Sequence, residues 1–489
     1  MKKNLLLILG CSLFVLAACS TGGTSSSVSG QVSTPESTPT QISIDAFTPV
    51  EFDTTKEVTI NFYSTMGSAL VKNYDIFIED FYELYPNIKV NHTQPGGYDD
   101  VRDQIKTELS VGQGPDVAYC YPDHVALYNK TKKVVRLDNL IADETYGIED
   151  VSNFVEGYYE EGRSFGDGYM YTLPFSKSTE VLYYNKDFFA ANNLTVPTTW
   201  DEMEAVCAKI KEIDPSCVPL GYDSESNWFI TMTEQLNSEY TTASGKDHFL
   251  FNNDTNKSFV KKFKGWYDKG YVTTQEIYGA YTSGLFTQTA EGEQKCYMCI
   301  GSSAGASHQI PGKDQQGNYP FETGIAPIPQ VDANNKKVIS QGPSLCMFNQ
   351  KDPQKIMASW LFVKWMTTYE DFQAQFSIAS GYVPVIKSVQ NNAFYKAHVE
   401  KAGTGNAYIT ATAAKLCVDM AQVPNYYFTS DAFIGSSDAR DQVGLLMQNV
   451  FTFVPTATDP AAREAEIDAQ INTAFESAVY QCNQAIGNV

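Results

Sequence analysis

A largely parallel α/β fold is what this sequence predicts, and three observations carry the prediction. Short β-branched runs alternate with helical apolar periodicity from residue 57 onward. The 489 residues suffice for about three average domains or two large lobes. The apolar share of 43% sits near the globular average, which excludes a fully disordered chain.

Residues 58–63 alternate around a β-branched core and read as the first strand. A turn follows at Ser64, Thr65, Met66 and Gly67. Leu70, Tyr74, Phe77, Ile78, Phe81 and Leu84 then recur at helical spacing, until Pro86 stops the helix. Residues 88–91 start a second strand, and Val101, Ile105 and Leu109 mark a second helix. Gly112-Gln113-Gly114-Pro115 ends that helix, and residues 116–121 form the next strand. Strand–helix–strand–helix–strand defines an α/β lobe with a mainly parallel sheet. Further strands are predicted at 181–184, 218–222, 295–300 and 324–326, with an extended piece at 383–385. Helices are predicted at 186–192, 355–367, 406–421, 438–450 and 461–478. Thr199-Trp200-Asp201-Glu202 fits a capping box opening a helix through Ile210. In open α/β sheets, ligands collect beyond the carboxyl ends of the strands. Residues 64–66, 121–124, 223–228 and 301–305 are therefore the candidate site segments.

The N-terminus carries an address. Lys2 and Lys3 precede an apolar run over residues 5–18, too short to span comfortably as a permanent helix, which reads as a secretory segment. It ends in Leu16-Ala17-Ala18-Cys19, which resembles a bacterial lipobox. That resemblance implies a diacylglycerol on Cys19, with residues 1–18 removed as the signal peptide. Of residues 20–40, 17 are Ser, Thr, Gly or Pro, so no core can form there. Residues 19–56 are expected to act as lipidated cysteine plus flexible linker, with a root-mean-square span of roughly 30–35 Å.

Charge and composition exclude several classes. A net charge of −22, from 35 Lys+Arg against 57 Asp+Glu, argues against nucleic acid and against an anionic membrane surface. The five histidines form no close pair, so neither a metal site nor a cofactor is expected. Eight cysteines follow Cys19. Cys207 and Cys217 are close enough in sequence for pairing to be possible. Cys296-Tyr297-Met298-Cys299 has redox-motif spacing, but on a strand its two thiols would face opposite sides. Buried thiols are the favoured reading. Aromatics make up 13% of the chain, which suits a large core and equally suits flat apolar platforms for sugar rings.

Taken in order, these residues resemble a known family. The pieces are Phe77, Phe81 and Tyr85-Pro86-Asn87-Ile88-Lys89-Val90, then Gly112-Gln113-Gly114-Pro115-Asp116-Val117. They continue with Leu173-Pro174-Phe175-Ser176, Val181-Leu182-Tyr183-Tyr184-Asn185 and Pro197-Thr198-Thr199-Trp200. Later come Ile300-Gly301-Ser302-Ser303, Gly324-Ile325-Ala326-Pro327 and Gly381-Tyr382-Val383-Pro384. Their order and spacing over about residues 57–390 are similar to the carbohydrate-type extracellular solute-binding proteins (family 1) of bacterial ABC importers, the group that includes maltose/maltodextrin-binding proteins. The last hundred residues fit only loosely. The resemblance implies a two-lobed periplasmic-binding-protein-like fold of type II. Lobe 1 would comprise 57–175 plus 327–377, and lobe 2 would comprise 180–322 plus 384–489. Three crossovers would lie near residues 175–181, 322–327 and 377–384. Ligand would bind between the lobes, and hinge closure would bury it.

Carried over residue by residue, the resemblance implies polar contacts from Ser64, Thr65 and Met66, and an acid and an aromatic from Asp123 and Tyr121. At the first crossover stand Ser176, Lys177 and Ser178, where some relatives have an acid. Ser302 and Ser303 stand where a stacking Trp is found in relatives. Asn227, Trp228, Tyr427 and Phe433 complete the candidate set, Tyr426 lying beside them. For each, core packing or a solvated loop is the competing reading.

The function these features imply is a lipid-anchored extracytoplasmic receptor. It would capture a carbohydrate of oligosaccharide type and hand it to ABC transporter permease subunits. It would be a monomer and perform no catalysis. A surface lipoprotein glycoside hydrolase is the alternative from another class, but no paired-acid motif and no Gly-x-Ser-x-Gly elbow is visible. A surface adhesin is the third reading. One test addresses the anchor. Replacing Cys19 with Ala should release the protein from the membrane fraction, and retention of a processed mutant on membranes would overturn lipidation.

Overall fold

The computed structural model describes residues 46–349 and 351–487. The predicted signal segment, Cys19 and most of the linker therefore lie outside the described residues. In chain order the strands are β1 (Val58–Tyr63), β2 (Ile88–Thr93), β3 (Val117–Cys120), β4 (Leu173–Pro174), β5 (Ser176–Asn185), β6 (Leu220–Tyr222) and β7 (Val272–Thr274). They continue as β8 (Met298–Ser302), β9 (Thr323–Pro327), β10 (Val338–Gln341), β11 (Ser344–Met347), β12 (Val383–Pro384) and β13 (Tyr427–Phe428).

Two sheets result. The first has the order β2-β1-β3-β11-β4. β1 pairs parallel with β2 and β3, while β11 runs antiparallel to β3 and β4. Successive side chains of a strand face opposite ways. Val117 and Tyr119 therefore enter one core, with Ile60, Phe62 and the helix Pro353–Thr368. Ala118 and Cys120 enter another, with Val101, Ile105 and Leu109. A sheet covered on both faces explains why β3 is apolar throughout. The helix Pro353–Thr368 starts where Asp352 accepts from the Gln354 amide at 2.9 Å and Pro353 occupies the first turn. It is buried on nearly all sides, so it shows no polar face.

The second sheet has the order β13-β10-β5-β8-β6-β7, with β9 and β12 also paired to β5. Its core gathers Leu182, Tyr222, Phe263, Ile300 and Met447. The predicted capping box is present: Thr199 accepts from the Glu202 amide at 3.2 Å, and Glu202 accepts from the Thr199 amide at 3.2 Å. Among the described residues, no helix is long and apolar enough to cross a membrane.

β5 begins at Ser176 rather than at residue 181, as the apolar pattern suggested. Its first five residues (Ser176, Lys177, Ser178, Thr179 and Glu180) are polar yet buried. They remain a strand because β12 and β10 cover them and supply partners. The Thr179 hydroxyl donates to the Ile339 carbonyl at 2.7 Å. The Lys177 ammonium donates to the Gly342 carbonyl and to Ser344 Oγ, each at 3.2 Å, and is ion-paired with Glu161. Neither Lys177 nor Glu161 has more than 3% of its side chain exposed. Gly342 has φ +91°, and a Cβ there would lie 2.3 Å from the Ser176 carbonyl oxygen. Glycine is needed at this passage between the sheets.

The structure departs from the sequence-based boundaries in several places. The first long helix divides into Ser68–Phe77 and Glu79–Leu84 around Ile78. There the Phe81 amide bonds the Ile78 carbonyl at 3.0 Å, a tighter 3₁₀-type turn. Residues 323–327 form β9, paired along β5 in the second sheet, so they are no crossover. The chain passes to the first sheet later, at Gly342 and Pro343, between β10 and β11. Val385, Ile386, Val389 and Tyr395 pack into the first core, and Ile409 is the next residue to enter the second. Their anchor is Gln373, whose side chain accepts from the Val385 amide at 3.1 Å. Cys296 precedes β8 and only Cys299 lies on it. All eight described cysteines are free and buried, Cys207 and Cys217 included.

Replacing Lys177 with Ala would leave the Glu161 carboxylate buried without its cation. Breaking a buried pair in this way costs about 3–5 kcal/mol. Urea unfolding should show that loss, and the double mutant with Glu161→Gln should recover part of it. Equal stability in the single mutant and wild type would overturn the pinning role.

Candidate ligand-binding cleft

One pocket opens between the two sheets and holds about 460 Å³ of empty space, part of it open to solvent. Tyr121, Asp123 and Glu161 face it from the first lobe. Tyr240, Ser340, Asp431 and Arg440 face it from the second. β3 delivers the first pair. Its chain leaves the sheet at Tyr121 in an extended conformation, and Pro122 opens the helix Pro122–Tyr128. Asp123 thus sits in a first helical turn, where a carboxylate is favoured. Arg440 projects from the helix Ser436–Thr452, which packs against Glu225–Gln235 in the second lobe.

Arg440 is committed within the protein. Its Nη1 donates to Asn227 Oδ1 at 2.6 Å, and its Nε stands 3.8 Å from Asp123 Oδ2. Glu180 lies behind this pair and accepts from the Tyr222 hydroxyl at 2.7 Å. Burial pushes its carboxyl up to about 8, against the lowering effect of Tyr222, Asn227 and Arg440, so it is protonated at neutral pH. Burial also raises Glu161, despite Lys177, and pushes the Tyr121 hydroxyl up. Three buried polar atoms that line the pocket find no hydrogen-bond partner in the protein: Asp123 Oδ2, Tyr240 Oη and Ser340 Oγ. Other buried polar atoms of the protein also lack a partner, but these three stand in one pocket, where a polar ligand can serve them.

Tyr121 and Asp123 are the two sequence-chosen residues that line the pocket. Asn227 reaches it only through Arg440. The others are placed elsewhere. Ser64 Oγ is 2.6 Å from His92 Nε2 and accepts from the Met66 amide, which fixes the turn after β1. Met66 packs in the first core, and Thr65 meets the Tyr98 hydroxyl. Ser176, Lys177 and Ser178 are sealed in the hinge strand. Ser302 accepts from the Ala304 amide at 3.2 Å, and Ser303 Oγ accepts from the Thr179 amide at 3.1 Å. Trp228 is fully buried, stacked on Tyr222 at 4.7 Å and 4.2 Å from Phe263, so it is core and no platform. It falls on the sheet-facing side of its helix, one turn past Ser224, whose hydroxyl caps the helix by accepting from the Asn227 amide. Tyr427 lies on β13 and donates to the Cys417 carbonyl at 2.9 Å. The Phe433 ring stacks on His248 at 5.0 Å.

Sequence reasoning missed Tyr240, Ser340 and Arg440. Arg440 is one of five arginines in a strongly acidic chain, and that scarcity was the available signal. A tyrosine group beside the cleft was missed as well: the Tyr98 ring is 4.7 Å from that of Tyr121, and its hydroxyl is 3.3 Å from the Tyr382 hydroxyl. Among the described residues, no three His, Cys, Asp or Glu side chains group as a metal site.

Comparison with known proteins gives a consistent result. The profile of one family, described as bacterial extracellular solute-binding protein, matches residues 77–403. The sn-glycerol-3-phosphate-binding periplasmic protein UgpB of Escherichia coli K12 is 24% identical over 343 residues, covering 68% of this chain and 75% of that protein. UgpB from Mycobacterium tuberculosis, solved in complex with glycerophosphocholine, superposes with a TM-score of 0.67 at 16% identity, over 87% of this chain and 99% of that one. The maltose/maltodextrin-binding domain MalE from Bdellovibrio bacteriovorus, bound to maltotriose, gives 0.64 at 18% identity, over 88% and 100%. The two structural likenesses establish the two-lobed fold. The profile match spans most of the folded part, and so the chain belongs to the bacterial extracellular solute-binding proteins, receptors that bind a solute and catalyse nothing.

Proposed function

We propose that this protein is a lipid-anchored receptor that captures a carbohydrate, of oligosaccharide type, between its lobes and passes it to the permease of an ABC importer. The observation that supports this most is the convergence of Asp123, Tyr240 and Ser340, each with a buried polar atom that makes no hydrogen bond, drawn from both lobes into one pocket. A polyol offers hydroxyls that both donate and accept. Asp123 accepts, while Tyr240 and Ser340 do either. The Tyr121 ring adds an apolar face for sugar carbons. Closure buries the ligand, and the closed form is what a permease would read.

Charge separates this reading from its rival. UgpB relatives suggest a glycerophosphate compound, and Arg440 supplies a cation. Yet Arg440 already serves Asn227 and Asp123, Lys177 is taken by Glu161, and Asp431 adds a further carboxyl to the pocket. A phosphate would enter a pocket with more acid than free base, whereas a neutral sugar meets no such opposition.

Calorimetry against maltotriose, related oligosaccharides and glycerophosphocholine tests the choice. An oligosaccharide should bind and glycerophosphocholine should not, and the reverse result would replace sugar by phosphodiester. Leaving a sugar hydroxyl unpaired costs about 1–3 kcal/mol. Asp123→Ala and Tyr240→Phe should each weaken binding by about tenfold or more while circular dichroism stays unchanged. Trp228→Ala should act differently, lowering folding stability by about 3–5 kcal/mol through the core cavity it leaves. Wild-type affinity in both pocket mutants would remove this pocket as the binding site.

A further inference from the structure

At one edge of the cleft, a first-lobe arginine reaches across to the second lobe without lining the pocket. Arg102 stands on the helix Tyr98–Ser110 with 13% of its side chain exposed. On its own helix it pairs with Asp99 at 3.0 Å and Asp103 at 2.9 Å. Across the cleft, its Nη1 donates to Ser437 Oγ at 3.3 Å and to Asp441 Oδ2 at 3.4 Å. Both partners lie in the first turns of the helix that also carries Arg440.

We propose that Arg102 is the positioning residue that lets the cleft close, by neutralising carboxylates that closure brings together. In the closed arrangement seen here, Asp99 and Asp103 of one helix, Asp123 of the next and Asp438 and Asp441 of the opposing lobe gather at this edge. The cations set among them are Arg102 and, against Asp123, Arg440, with Lys106 beside Asp103. His124 is also close, but burial lowers its pKa and keeps it neutral at pH 7. Tyr240 and Cys482 stand behind Asp441, and burial raises both, so they carry no charge either. When the lobes part, Arg102 keeps Asp99 and Asp103 on its own helix, while Asp441 returns to water. Closing therefore sets the repulsion among these acids against the reach of Arg102 to Asp441, with Arg440 taking up Asp123 beside it.

Burial pushes the Asp441 carboxyl up to about 6, helped by Asp99, Asp123 and Asp438 and opposed by Arg102. Half of its side chain stays in solvent, which limits the size of that effect. The sign follows from linkage. A carboxyl whose pKa is higher closed than open disfavours closure while ionised, and that penalty is relieved as pH falls through about 6. Arg102 matters most above that value.

The test needs no ligand. Small-angle scattering on the soluble Cys19→Ala chain, at pH 7.5 and low salt, should show a larger radius of gyration for Arg102→Gln than for the parent. Adding Asp441→Asn to Arg102→Gln should restore the parent value, and so should lowering the pH of the single mutant to 5. A merely structural role for the arginine, through packing of its stem, would not be rescued by neutralising a residue of the opposite lobe. An unchanged radius in Arg102→Gln, or expansion that persists in the double mutant, would overturn the proposal. Either result would leave the carbohydrate reading of the pocket untouched.

Discussion

A lysine ammonium with no exposed surface has to be neutralised, and the base of the cleft is organised around that requirement. Lys177 cannot reach water, so it draws in Glu161, the Gly342 carbonyl and Ser344. Those partners belong to two separate passages of the chain, the turn at Glu161 and the link between β10 and β11. Their convergence sets where β5 emerges from the first lobe, where β10 gives way to β11, and how tightly Gly342 must turn. The polar start of β5 is then no anomaly. It is the seam along which both lobes are tied, and the side chains of Lys177 and Thr179 are used between segments rather than offered to a ligand.

That arrangement explains what could be read in the sequence and what could not. β1 and the helix Pro353–Thr368 were legible because one core fixes their apolar periodicity. Tyr121 and Asp123 were legible because a strand end is where an open sheet leaves room. Ser176, Lys177 and Ser178 looked equally available by that rule, yet all three are buried in the seam and none lines the pocket. Hydropathy does not distinguish a polar residue facing a ligand from one satisfied inside. Trp228 fails for a related reason: its position after β6 is shared by cleft and core residues alike, and only the packing of Tyr222 and Phe263 decides. Tyr240, Ser340 and Arg440 come from segments with no motif, brought together by the return of the chain through β10 and the C-terminal helices.

The pocket and its edge divide the electrostatic work. Inside, Arg440 is held by Asn227 and Asp123, and Glu180 is held neutral by burial. Polarity is therefore present with little net charge available to an incoming ion. At the edge, charges remain ionised and partly wet, and their balance acts on the approach of the two lobes. A chain with net charge −22 has few cations to place. Two of its five arginines stand at this one cleft.

The free cysteines have a consequence for how this protein can come into being. An extracellular protein folds where thiols are oxidised, yet all eight described ones are reduced and sealed. Burial raises the pKa of Cys207, Cys217 and Cys299, for example, and disulfide exchange needs thiolate, so folding shields these thiols from exchange. The unfolded chain enjoys no such shelter. Export therefore becomes a race between collapse of the cores and oxidation of the exposed chain. A slow-folding variant would expose those thiols to wrong crosslinks for longer. Speed of burial, more than depth of the final energy well, is the property on which such a sequence is held to account.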